Sequence, residues 1–469
     1  MTELTIYYSS ILISSALLCI GIIIFLKRPF FKLVVFSTYQ LDIIFDKSLK
    51  EEDKDKKLFQ NIIKVISQLL LCITILLLLS AGGALLPVLY VHMNDEIKAD
   101  TSSFYFYSSI TAGSFILFLF RTKRNYSYWS KLLHTVILDN YALGKYLLER
   151  EFKKKPSLTL KADKDFLVVS GLARSGTTAL ANLIFNEKEF HSIKYSNMPF
   201  LLAPDLWKRV YNPNSLEKQE RAHKDSILFN EQSIEALEEY FFKVNLQDSY
   251  IGKNHLRKHS ISKDLLMKYY KYQELFKDTD HTTYFAKNNN FILRYESIRK
   301  LNSRFSVLLA FRRPINHAQS LLNQHRNFLS QQKGDGFILN YMNWLGHHEF
   351  GVNHKHFSLS KKNICIGGAT KNDLSFWLQV WINYYSYVVE IYKPNQNLFL
   401  IHYEDIANNP TKLRKAIGTK IQKKLKSGFV EPFTRTESVS KDIIDANDPY
   451  LEKAEEIYHK LLLNKVQIN

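Results

Sequence analysis

A chain of 469 residues has room for two or three structural units, and a net charge of +18 calls for an anionic surface or ligand. Of its three cysteines, Cys19 and Cys72 lie in apolar runs and Cys365 stands alone in the polar part, which excludes a disulfide framework there and fits a reducing compartment. Nucleic acid, a membrane face and a small polyanion compete as partners. No basic stretch interleaves aromatics in a recognised module, so nucleic acid ranks last.

Three apolar runs open the chain, at residues 6–26, 65–91 and 104–120, and the first two carry no charged side chain. At 1.5 Å per residue, about 20 apolar residues cross a hydrocarbon core of roughly 30 Å. The first two runs meet that length; the third sits at its lower limit and also suits a buried or interfacial helix. Residues 1–5 contain no Lys or Arg, and Lys27-Arg28-Pro29 follows the first run where a signal peptide has a small-residue cleavage site. The run is therefore expected to be retained.

The charged loops set an expected orientation. Lys27, Arg28, Lys32, Lys54, Lys56, Lys57 and Lys64 separate the first two runs, and Arg121, Lys123 and Arg124 follow the third. The loop between the second and third has Asp95, Glu96 and Asp100 against Lys98. Basic segments belong inside, so the amino terminus lies outside and everything after about residue 121 is cytoplasmic. Residues 1–125 thus form a three-span, multi-pass anchor. Trp129, Leu132, Leu133, Val136, Ile137, Tyr141, Leu143 and Leu147 give residues 126–160 the spacing of an amphipathic helical connector, which ends at Lys153-Lys154-Lys155-Pro156. Residues 161–469 form the remaining unit.

That unit opens on a β-branched run, Phe166-Leu167-Val168-Val169, followed by a loop bounded by Gly171 and Gly176 and then by a helical pattern. Strand, glycine-bounded loop and helix make a phosphate-binding arrangement, because backbone N–H groups and the positive end of the helix converge on an anion. The two glycines keep the spacing of a nucleoside-triphosphate loop. Thr177, however, stands where that loop needs a lysine for the β- and γ-phosphates, which argues against triphosphate hydrolysis. A second buried strand, Phe305–Phe311, runs into Arg312-Arg313-Pro314, where proline marks a helix start. The fold class expected is α/β, a P-loop-type parallel sheet flanked by helices and preceded by the transmembrane anchor.

Arg174-Ser175-Gly176-Thr177-Thr178 resembles the 5′-phosphosulfate loop of the sulfotransferases that use 3′-phosphoadenosine 5′-phosphosulfate (PAPS), and Arg312 with Ser320 keeps the eight-residue interval of their 3′-phosphate motif. The resemblance spans roughly residues 165 to 425 and implies PAPS as sulfonate donor. By it, Arg174 neutralises charge on the departing nucleotide, and Arg312 and Ser320 clamp its 3′-phosphate. Arg313 departs from the family's usual acidic or Asn residue, which leaves open which arginine makes the contact. Lys287, in Lys287-Asn288-Asn289-Asn290, matches a lysine that the family places on the sulfonate or bridging oxygen.

Met198-Pro199-Phe200, Ala222-His223-Lys224-Asp225 and Glu235-Ala236-Leu237-Glu238-Glu239 resemble a bacterial branch of the family. His223 is the first choice for the base that takes the acceptor's proton, since imidazole titrates in the right range, and Glu235 is the second. No metal is expected. His347-His348-Glu349 with His354 and His356 lacks a recognised ligand spacing and reads as a surface loop. The function expected is sulfonate transfer from PAPS to a hydroxyl acceptor, a lipid or glycan at the membrane or a small molecule, in a bacterial inner membrane. The alternatives are a membrane-tethered P-loop kinase using ATP and a non-catalytic nucleotide-binding membrane protein.

Overall fold

The computed structural model describes residues 2–46, 49–93, 105, 107–111, 128–154, 163–211, 219–220, 228–229, 234, 236–277, 282–360, 369–432 and 449–468. They fall into two compact units, Met1–Leu143 and Gly144–Asn469.

In the first unit, helix α1 (Thr2–Gly21) passes through a π-helical turn, Ile22–Leu26, into α2 (Lys27–Phe45) without a break. The wide turn falls just before Pro29, whose ring nitrogen has no proton for the helical ladder. Helix α3 (Glu51–Met93) begins with Glu51, Glu52 and Asp53, charges that suit the positive end of a helix. It packs against α2, where the buried Asn61 amide donates to Phe36 O at 2.6 Å. Thr5–Phe45 and Glu51–Met93 are long and apolar enough to cross a membrane, by length and composition. Of the third expected span, only Tyr105 and residues 107–111 are described. Tyr105 packs on Tyr8 with ring centroids 5.6 Å apart, and the rest lies outside the described residues.

The connector differs from expectation. Its one amphipathic pattern forms two helices, α4 (Tyr128–Asp139) and α5 (Tyr141–Lys154), parted at Asn140. Asp42 of α2 explains the restart. Its Oδ1 accepts from Ala142 N at 2.5 Å and Leu143 N at 3.2 Å, satisfying backbone donors that the first turn of α5 leaves open. Side-chain spacing within the connector carries no trace of a partner 100 residues away.

The second unit is built on a parallel five-stranded sheet. Its strands are β1 (Phe166–Gly171), β2 (Phe190–His191), β3 (Thr283–Lys287), β4 (Ser306–Phe311) and β5 (Leu398–His402), in the order β2-β3-β1-β4-β5. All six residues of β1 are buried, as a central parallel strand covered on both faces requires. Phe166 lies opposite Tyr284 and Leu167 opposite Ser306. Leu167, Val169, Phe285 and Leu308 pack with Leu180 and Ile184 of helix α6 (Thr177–Ile184) in the core. The backbone of Val466 donates to Leu400 O at 3.0 Å, so the segment after the last helix pairs with the edge strand β5. Because the strands run parallel, the residues following β1, β3, β4 and β5 emerge along one edge of the sheet. The glycine-bounded loop after β1, Lys287 at the end of β3 and Arg312 after β4 all lie there.

Candidate active site

Gly171 closes β1 and Gly176 (φ 93°) starts α6, so the glycine-bounded loop is the short arc between them. A Cβ on Gly176 would lie 2.7 Å from Tyr403 Cδ2, which leaves room for glycine alone. Arg174 has φ 71°, a left-handed conformation that costs a side-chain-bearing residue on the order of 1–3 kcal/mol and concentrates at ligand-binding sites. Ser175 is fully buried, and its backbone donates to Leu172 O at 3.1 Å. Thr177 and Thr178 form the first helical turn, whose backbone N–H groups have no partner within the helix.

The second motif meets this loop directly. Helix α7 (Pro314–Gly334) leaves β4 through Arg312 and Arg313. Arg174 Nε donates to Ser320 Oγ at 3.2 Å, and His317 Nε2 lies 2.7 Å from Ala173 O. Burial, with Arg312 and Arg174 nearby, pushes the His317 imidazole down to about 3, so it is neutral and donates from Nε2. Arg312 is buried, with its guanidinium 4.4 Å from the centre of the Tyr403 ring, the same ring that rests on Gly176. Arg313 is 59% exposed and lies 3.8 Å from Glu455. Arg312 is therefore the arginine packed beside the loop, and Tyr403 is a contributor that the motifs do not reveal. Its only signal in the sequence is its place at the end of a buried strand.

Lys287 ends β3 and is buried; its Cα is in register with Val169, and Asn288 N donates to Val169 O at 2.9 Å. It therefore stands one strand from the glycine-bounded loop on the same edge. The Asn288 amide donates to Glu238 at 2.9 Å and to Glu239 at 3.0 Å. Glu239 is clamped by both terminal nitrogens of Arg294 at 2.7 Å, while Glu238 accepts from Tyr269 at 2.7 Å and Tyr284 at 2.9 Å. Burial raises the Glu238 carboxyl above its usual range. Burial acts on Glu239 too, but Arg294 prevails and holds it low. Neither carboxyl stands out as a site residue in the sequence. Both fix the chain immediately after Lys287.

His223 and Glu235 lie outside the described residues. The segment read as a surface loop is in large part interior. His348 and His354 are buried: aromatic packing draws the His354 ring to 4.8 Å from Trp377, and His348 Nδ1 lies 3.2 Å from Asn353 O. Among the described residues, no group of three His, Cys, Asp or Glu side chains is arranged to hold a metal ion.

No protein family and no curated protein matches the chain. Two solved structures are similar to it. Sulfotransferase STF9 from Mycobacterium avium matches over 72% of this chain and 83% of that one, with 11% identity and a TM-score of 0.38. Sulfotransferase STF1 from Mycobacterium tuberculosis matches over 67% and 82%, with 12% identity and a TM-score of 0.35.

Proposed function

We propose that the Gly144–Asn469 unit transfers a sulfonate group from PAPS to a hydroxyl acceptor. The observation that supports this reading best is the hydrogen bond from Arg174 to Ser320, which joins the two motifs at one place. A ligand with anionic groups at both ends suits such a pair. The loop amides, Ser175, Gly176, Thr177, Thr178 and Arg174 hold the 5′-phosphosulfate, while Arg312 and Ser320 hold the 3′-phosphate. Lys287 stabilises the charge that develops on the bridging oxygen as the bisphosphate leaves. Thr177 in place of a lysine disfavours ATP as the donor.

The three apolar runs read from the sequence anchor this unit to a membrane, an odd number of crossings that takes the chain from an outside amino terminus to a catalytic part on the cytoplasmic side of a bacterial inner membrane. A lipid or lipid-linked glycan hydroxyl is then the acceptor at hand, and equal sulfation of a soluble acceptor without membrane or detergent would count against it.

Calorimetry on the full chain in detergent tests the donor. Adenosine 3′,5′-bisphosphate should bind more tightly than ATP, and a preference for ATP removes the proposal. Arg312→Ala should weaken the bisphosphate by about 10- to 100-fold, the worth of a hydrogen bond to a charged group, and adenosine 5′-phosphate far less. Equal weakening of both would refute the assignment of Arg312 to the 3′-phosphate.

A further inference from the structure

We infer that His347 is the base that takes the acceptor's proton and that Glu349 orients its ring, an inference that rests on the sulfonate-transfer reading above. The stretch from Leu345 to Glu349 is held to the residues that directly follow Lys287. The Asn290 amide donates to Gly346 O at 2.9 Å, and Asn289 Nδ2 reaches Glu349 Oε1 at 3.5 Å. The same Glu349 oxygen lies 3.5 Å from His347 Nδ1. Gly346 has φ 69°, and a Cβ there would lie 2.7 Å from Glu239 Cγ, so the turn presses against the carboxylate that Arg294 clamps. His347 N donates to Met342 O at 2.8 Å, and Asn353 Nδ2 donates to His347 O at 3.1 Å, which fixes the backbone on both sides.

The dyad's turn is therefore tied by hydrogen bonds to the second and third residues after the proposed leaving-group lysine, in the segment that leaves the end of β3. His347 differs from the neighbouring His348 and His354, which are closed off, in keeping 24% of its side chain open to solvent. Asn289 Oδ1, two residues after Lys287, is buried with no hydrogen-bond partner, an unmet polar group of the kind that marks functional sites. With Nδ1 turned to Glu349, Nε2 is the nitrogen left to accept a proton, the arrangement of a base oriented by a third group.

The electrostatics agree with the geometry. Burial pushes the Glu349 carboxyl up, but His347 outweighs it and brings the group down to about 2, so Glu349 is ionised and can stabilise an imidazolium. The other ionisable groups around the turn are His348, Lys243, Lys355 and Glu239. Burial, with Lys243 beside it, brings His348 down to about 3 and keeps it neutral. In the step itself, the acceptor oxygen forms a bond to sulfur while the bond from sulfur to the 5′-phosphate oxygen breaks and its electron pair stays on the bisphosphate. The acceptor's proton passes to His347 Nε2 and then to water.

The test uses the full chain in detergent. Diethyl pyrocarbonate, which modifies accessible neutral imidazoles, is followed at each histidine by mass spectrometry. Saturating PAPS should slow modification of His347 at least five-fold and leave unchanged that of His459, an exposed histidine on the helix Pro449–Leu463. Turnover of PAPS is then measured with dodecanol in the micelle, and with water alone, as hydroxyl probes. His347→Gln should lose at least about 100-fold in turnover, as removal of a general base does, and Glu349→Gln about 10-fold, both binding adenosine 3′,5′-bisphosphate as the parent does. If the parent chain does not bind the bisphosphate, the sulfonate-transfer reading itself falls. If it binds but PAPS gives His347 no protection, this inference alone falls. It also falls if the parent turns over neither probe, if His347→Gln keeps parental turnover, or if only His223→Gln loses it. Should His347→Gln fail to fold, the footprint and Glu349→Gln decide.

Discussion

Arg294 is a fully buried guanidinium with both terminal nitrogens on Glu239 and its face 3.9 Å from the centre of the Phe242 ring. Deleting one member of such a pair strands the other without solvent, which costs about 3–5 kcal/mol. Arg294→Met should therefore lower stability by that amount in denaturant unfolding, and adding Glu239→Leu should recover much of it. An unaffected single variant would show that the pair does not hold this region together. The partners are 55 residues apart in sequence, so the sequence displays an acidic segment and an isolated arginine but not their pairing. His347 was hidden differently. Its polar neighbours read as a surface loop because composition does not register the packing of His325 and His354 on Trp377.

The strand, loop and helix of residues 166–184 and the turn into α7 were legible as elements because each is an apolar strand stopped by glycine or proline. Their convergence was not. It depends on the strand order that sets β4 beside β1, and on Tyr403, which arrives more than 200 residues after the loop it covers. Gly176→Ala tests that cover. The new methyl meets the Tyr403 ring at 2.7 Å in a left-handed backbone, so a destabilisation of about 1–3 kcal/mol should accompany weaker bisphosphate binding. Calorimetry and thermal unfolding read the two effects, and parental values in both would mean that Tyr403 does not close the loop. The connector shows the same limit from the other side. Its periodicity was real, but Asp42 divides it into two helices.

Across the second unit as a whole, burial holds several imidazoles below their ordinary range. His317 and His348 come down to about 3, and His191, His259 and His325 to about 4. An unfolded chain takes up these protons near pH 6.5 and the folded one does not. Below pH 6.5 the unfolded state therefore binds more protons, and stability falls with pH until the folded-state values are reached. Glu349, held to about 2, gives up its share only below about pH 4.5, and the raised Glu238 carboxyl works the other way as a single group, so from 6.5 to 5 the several histidines set the direction. The thermal midpoint of the full chain should drop steadily from pH 7 to 5, and a level midpoint would contradict the burial of these rings.

The sheet order also bears on how the chain is made. Leu167 waits for its first neighbour, Phe285 of β3, roughly 120 residues later, a delay of about 6–24 s at a synthesis rate of 5–20 residues per second. Through that interval a sticky Phe-Leu-Val-Val ribbon trails from the ribosome with neither flank covered. A nascent chain stalled between residues 200 and 280 should for this reason be retained by chaperones, and one extended past His402 released.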